Sequence, residues 1–110
     1  MDRPAASAAA HATYEGIAAE LAEAKGASPG KMMGMPTLFL GGKAFAGLFG
    51  DSMVFKLGGE AHAMALALPG AALFDPSGMD RPMKAWVRIP LDHALAWPRF
   101  ARSGAEGLET

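Results

Sequence analysis

The residues best suited to chemistry in this chain lie between Asp75 and Arg88. Asp75 and Asp80 flank a loop segment, and Arg81 follows directly. Paired carboxylates beside a guanidinium could exchange protons with a bound substrate. The same residues also have a structural use. Asp, Pro and Gly in Asp75-Pro76-Ser77-Gly78 hold the positions a type I turn favours, with Asp75 accepting the turn's own N–H groups and Arg81 tying the loop down by a carboxylate or carbonyl contact. His62 adds a side chain that titrates near neutrality, either at the mouth of a pocket with Asp75, Asp80 and Arg81 or, more simply, on a helix with a ring nitrogen on a backbone carbonyl. His11, His62 and His93 lie far apart and show no HExxH-like spacing, so no metal or cofactor is expected. Ser52 and Ser77 lack a GxSxG elbow, and Gly41-Gly42 and Gly58-Gly59 lack phosphate-loop spacing and read as turns. No catalytic residue is assigned, and the chain is read as a non-enzyme.

A second constellation is Lys84, Trp86 and Arg88, which strand alternation puts on one face while Ala85, Val87 and Ile89 take the other. A tryptophan between two cations on a non-core face is a candidate partner-binding surface, because Trp and Arg dominate binding hot spots. The competing reading packs Trp86 under the C-terminal helix with the cationic stems along its ring. The two readings differ in the exposure of Trp86.

Composition narrows the partners. The chain has 110 residues, 51% of them hydrophobic, no cysteine and a net charge of −1. Apolar surface beyond what so small a body can bury favours a homodimer or a protein partner of unknown identity. The balanced charge makes nucleic-acid binding unlikely as a global property. Weak binding through the region from Arg81 to Arg102, with Arg81, Lys84, Arg88, Arg99 and Arg102, is a lesser alternative, beside a small-molecule pocket near Asp75–Arg81. The absence of cysteine fits a reducing compartment, with cytoplasm as the expected localisation, and no stretch reads as a membrane span.

These residues must be positioned by a small set of elements. Residues 1–12 read as a flexible leader and 105–110 as a flexible tail, around one α+β domain over 13–104. The first helix is expected from Thr13, as N-cap, to Lys25, where Gly26 stops it, and 27–30 as a turn. Gly41-Gly42 and Gly50-Asp51 are two-residue hairpin signals that define strands near 36–40, 44–49 and 52–57, with a short strand at 31–34. Alternation puts Met53, Phe55 and Leu57 on one face and Val54 and Lys56 on the other, and pairs Phe45 with Phe49. A second helix runs to Pro69-Gly70, a strand covers 84–89, and a last helical stretch over 92–103 breaks at Trp97-Pro98. The result is an antiparallel sheet of about five or six strands with a central meander, packed by N-terminal, middle and C-terminal helices.

The order of the segments Gly34-Met35-Pro36, Gly42-Lys43-Ala44-Phe45-Ala46-Gly47, Asp51-Ser52-Met53-Val54-Phe55-Lys56-Leu57, Leu73-Phe74-Asp75-Pro76-Ser77-Gly78 and Arg81-Pro82-Met83-Lys84-Ala85-Trp86-Val87 resembles the N-terminal domain of the TfoX/Sxy competence regulators. The resemblance spans roughly Tyr14 to Arg102. It implies a compact α+β sandwich, a regulatory role through protein contact and no established catalytic residues. The full-length regulators carry a further C-terminal helical domain, which is not seen here.

Overall fold

A computed structural model of the chain describes residues 6–109. Residues 1–5 of the expected leader, and Thr110, lie outside the described residues. The first helix, α1, spans Ala8–Lys25. It starts well before Thr13, because Ser7 is the N-cap and its hydroxyl accepts the Ala10 N–H at 3.2 Å. Thr13 instead donates its hydroxyl to the Ala9 carbonyl inside the helix. Gly26 ends the helix in the left-handed region, at φ 77°, where glycine carries no steric cost.

A six-stranded, wholly antiparallel sheet follows, in the order β1-β2-β3-β4-β6-β5. Its strands are β1 Ser28–Met32, β2 Met35–Leu40, β3 Lys43–Phe49, β4 Ser52–Lys56, β5 Ala72–Phe74 and β6 Met83–Pro90. Helix α2, Gly59–Leu66, lies between β4 and β5, and a 3-10 segment, Leu91–Ala96, leads into α3, Trp97–Glu109. The fold is therefore α+β, with a central meander as the hairpin glycines imply. Ser28–Gly30, expected as a turn, belong to the edge strand, and a third tight turn, Met33-Gly34, joins it to β2. Both turn residues have positive φ, 53° and 79°, the geometry of a type I′ hairpin.

The sheet's inner face carries the main core. Ala10, Tyr14, Ile17 and Leu21 of α1 and Trp97, Phe100, Ala101 and Ala105 of α3 recur at helical spacing and close over Leu38, Ala46, Met53, Phe55 and Val87. The expected pairing of Phe45 with Phe49 is corrected. Leu38 faces Ala46 while Phe39 faces Ala44, so Phe45 is a bulge residue, and the phase of β3 shifts. Phe45 joins the inner core, and Phe49 turns to the outer face.

The C-terminal tail is corrected in the same way. The interruption at Trp97-Pro98 is a fresh helix start, since Pro98 in a first turn has no N–H to miss. From there α3 runs on through Gly104 to Glu109, and Gly104 and Ala105 are buried. Lys25 meets Glu109 at 3.0 Å and Arg102 meets Glu20 at 2.8 Å, joining the two long helices at the surface.

Two buried polar atoms, Tyr14 Oη and Trp97 Nε1, have no hydrogen-bond partner among the described residues. Burial, and after it the charge of Glu15, push the Tyr14 phenol up to about 12. The raised folded-state value means that titration of Tyr14 leaves stability unchanged below its unfolded pKa of 10.0 and lowers it as pH climbs from there to about 12. Tyr14 is the only tyrosine, so ultraviolet titration reads it directly. The expected midpoint is near 12, and a midpoint near 10 would place the ring in water. Because its hydroxyl is unpaired, Tyr14→Phe should leave the urea midpoint equal or higher.

Candidate functional site

Strand alternation gives the sheet a second face, and among the described residues no helix residue enters the apolar cluster there. Met35, Val54, Phe74 and Trp86 form its buried centre, with Met32, Ala44, Phe49 and Met83 half-buried around them. Phe49 of β3 and Phe74 of β5 meet edge to face, their ring centroids 5.1 Å apart. Three strand steps separate them in the sheet, about 14 Å along a flat surface. The sheet must therefore curl toward this side, and the concavity closes around Trp86.

This curl corrects the reading of Lys84, Trp86 and Arg88 as one exposed stripe. Trp86 is only 6% exposed, whereas Lys84 and Arg88 reach solvent. Nor does Trp86 pack under the C-terminal helix, since its cluster consists of strand side chains alone. Simple alternation also fails just before it. Leu73 faces Val87 but Phe74 faces Met83, an irregularity that lets Met83 join the same cluster as Trp86.

The cations stay at the surface around this cluster. Lys56 stands directly opposite Trp86 across β4 and β6, and Arg88 stands opposite Val54 and exposed Ala72. Lys56 belongs with the candidate surface beside the residues of β6. The alternation of 52–57 already places it on the outer face with Val54.

The loop after β5 is organised by Asp75. Its Oδ1 accepts the Ser77 hydroxyl at 2.7 Å and the N–H groups of Ser77 and Gly78, both at 3.1 Å. Its Oδ2 accepts the Arg81 N–H at 3.0 Å. Arg81 thus anchors the loop through its backbone. Asp80 adopts φ 61°, a left-handed conformation that Asp tolerates better than most residues, and it does not pair with Asp75. The outward tip is Met79, 67% exposed, between this Asx-organised turn and Asp80.

The bonds to Asp75 favour its ionised form and hold the carboxyl below its ordinary range. The Ser77 hydroxyl is the largest cause, partial desolvation opposes it, and the N–H groups of Arg81, Gly78 and Ser77 add to it. A depressed folded-state pKa contributes loop stability above the ordinary carboxylate pKa, lost as pH falls through the depressed value. Carbon NMR titration of Asp75 should find this low midpoint. Asp75→Ala should speed exchange of the Arg81 amide roughly tenfold while leaving sheet amides protected. Unchanged Arg81 exchange would show that the carboxylate does not organise the loop.

His62 does not join Asp75 or Asp80. Its Nε2 lies 2.8 Å from the Lys84 carbonyl, the simpler of its two expected roles, and staples α2 to β6. His93 makes the equivalent contact with the Pro69 carbonyl at 2.8 Å, and His11 stands beside Glu15. The three histidines are thus held by different parts of the fold. Two shallow hollows, of about 270 and 330 Å³, lie elsewhere: one beside His11, Met35 and Phe49, the other between α1 and the β1–β2 hairpin. Neither is lined by Asp75, Asp80 or Arg81.

Among the described residues no helix is long and apolar enough to cross a membrane. Comparison of the chain with protein-family models, with curated proteins and with solved structures gave no significant match in any of the three.

Proposed function

We propose that this chain is a non-enzymatic regulatory or adaptor domain that works by protein contact, as its resemblance to the TfoX/Sxy N-terminal domain implies. The observation that supports the reading is the sheet face that no described helix covers, where half-buried Met32, Phe49 and Met83 share the surface with exposed Lys56 and Arg88. Soft apolar side chains inside a rim of cations suit a reversible protein interface, because methionine adapts to a partner's shape and the charges orient it.

The sheet's edges are poorer contact surfaces. In a type I′ hairpin Met32 and Met35 form a hydrogen-bonded pair, so Pro29, three residues back, turns its backbone away from β2. The outer edge of β1 thereby lacks one donor, as expected of an edge protected against strand addition. The opposite edge, β5, is three residues long.

The test is site-specific photo-crosslinking in extract of the cells that make the protein. A crosslinker at exposed Ala72, opposite Arg88, should give a discrete protein adduct that the same group at exposed Ala19 of α1 does not. Identical adduct patterns from both positions, or none from Ala72, would count against a contact role for this face.

A further inference from the structure

We infer that the partner of the sheet face that no described helix covers is an acidic protein segment, an inference that rests on the protein-contact reading above. The six strands carry Lys31, Lys43, Lys56, Lys84 and Arg88 and not one Asp or Glu. Lys56, Lys84 and Arg88 are exposed and have no carboxylate partner among the described residues. The carboxylates of the long helices, Glu15, Glu20, Glu23, Glu106 and Glu109, belong to the layer on the other side of the sheet, where Lys25 and Arg102 are already paired. Lys31 and Lys43 lie on the helix side of the sheet, whereas Lys56 and Arg88, opposite Trp86 and Val54, give the other face a positive charge that no described helix covers. A segment that alternates carboxylates with apolar side chains would meet Lys56 and Arg88 with the first and Phe49, Met32 and Met83 with the second.

Nucleic acid would also seek the cations, but binding of single strands draws on aromatic ring faces as stacking platforms. Trp86 is buried and Phe49 is engaged edge to face with Phe74, so this surface offers charge without stacking. A second copy of the chain fits less well. Its acidic helical layer against this face would be a head-to-tail contact, which closes only for particular rotations and otherwise propagates.

The experiment uses the full chain and a fluorescein-labelled peptide of about twelve residues with alternating Glu and Leu, read by fluorescence anisotropy. A labelled oligothymidylate of similar charge is titrated in parallel. The peptide should bind with a Kd of about 10–100 μM. Raising salt from about 50 to 300 mM should weaken it several-fold. Lys56→Glu with Arg88→Glu should weaken it roughly tenfold or more, and Lys43→Glu, on the opposite side of the strand, less than about twofold. All three substituted side chains are exposed, and thermal unfolding checks that the variants stay folded.

The proposal is overturned if the peptide does not bind, if the double variant binds it equally well, or if the oligothymidylate binds more tightly. A failed peptide titration alongside a discrete Ala72 adduct removes the acidic partner and leaves the protein-contact reading standing. Failure of both removes both.

Discussion

Replacing Trp86 by alanine will lower the unfolding free energy by about 3 kcal/mol, as expected for truncating a buried aromatic side chain. Trp86 is 6% exposed and sits on Val54, Phe74 and Met35, so its loss opens a cavity in the outer cluster that only half-buried side chains could fill. Trp86→Phe keeps a ring in the cluster and should cost less than half as much. Urea denaturation measures both. The distinction matters for any binding experiment, because a Trp86→Ala variant that fails to capture a partner reports a damaged sheet face as readily as a lost contact. An unchanged midpoint for Trp86→Ala would mean that the outer cluster is not a core, and the curl inferred from the Phe49–Phe74 contact would fall with it.

Gly104→Val should be about equally damaging. A Cβ at Gly104 would stand 3.1 Å from two backbone carbonyl oxygens, those of Lys56 and Phe45, and neither can swing aside as a side chain could. The two additional methyl groups of valine would lift α3 from β3 and β4. The expected cost is about 3 kcal/mol, at the upper end for overpacking. That should appear as a fall of roughly 10–20 °C in the unfolding midpoint for a domain of this size. Gly107 is the internal control, since a Cβ there meets nothing within 4 Å. Gly107→Ala should raise stability by up to about 1 kcal/mol through helix propensity. If Gly104→Val unfolds at the wild-type temperature, α3 is not seated on the meander.

Gly104 also shows where sequence reading reached its limit. A glycine late in a helical stretch looks like a stop signal, and here it is instead the point of closest approach between helix and sheet. The start of α1 was hidden for a related reason. Ala8, Ala9, Ala10 and Ala12 have helix propensity but little contrast between faces, so periodicity became visible only at Tyr14. The hairpins at Gly41-Gly42 and Gly50-Asp51 were legible because glycine marks positive φ. Met33-Gly34 was less so, because its first position holds methionine at φ 53°.

The candidate surface was legible in part. Alternation identified the exposure of Lys84 and Arg88 and the outward side of Lys56. It could not give the fate of Trp86, which depends on how far the sheet curls across strands distant in sequence. The Asp75 turn was legible in its carboxylate-to-backbone bonds, which are local to 75–81 and follow from the residue types, but not in the part of Arg81, whose backbone N–H closes the loop in place of the expected side-chain contact. Phe45 was not. A bulge shifts every following residue of a strand to the other face, and nothing in the order of residues 43–49 announces one.

The meander of short hairpins has a bearing on how the chain folds. β1 to β4 are each joined to the next by a two-residue turn, so most of their pairings close small loops, and such contacts form early. The helix that seals the middle of this sheet is α3, the last described element to leave a ribosome. At a synthesis rate of about 5–20 residues per second, the inner face of the meander waits on the order of seconds between completion of β4 and arrival of Gly104. During that interval Met53, Phe55 and Leu48 can be shielded first by α1, already made, and then by α2, so the attachment of α1 to the nascent sheet bears on whether the half-built domain stays monomeric.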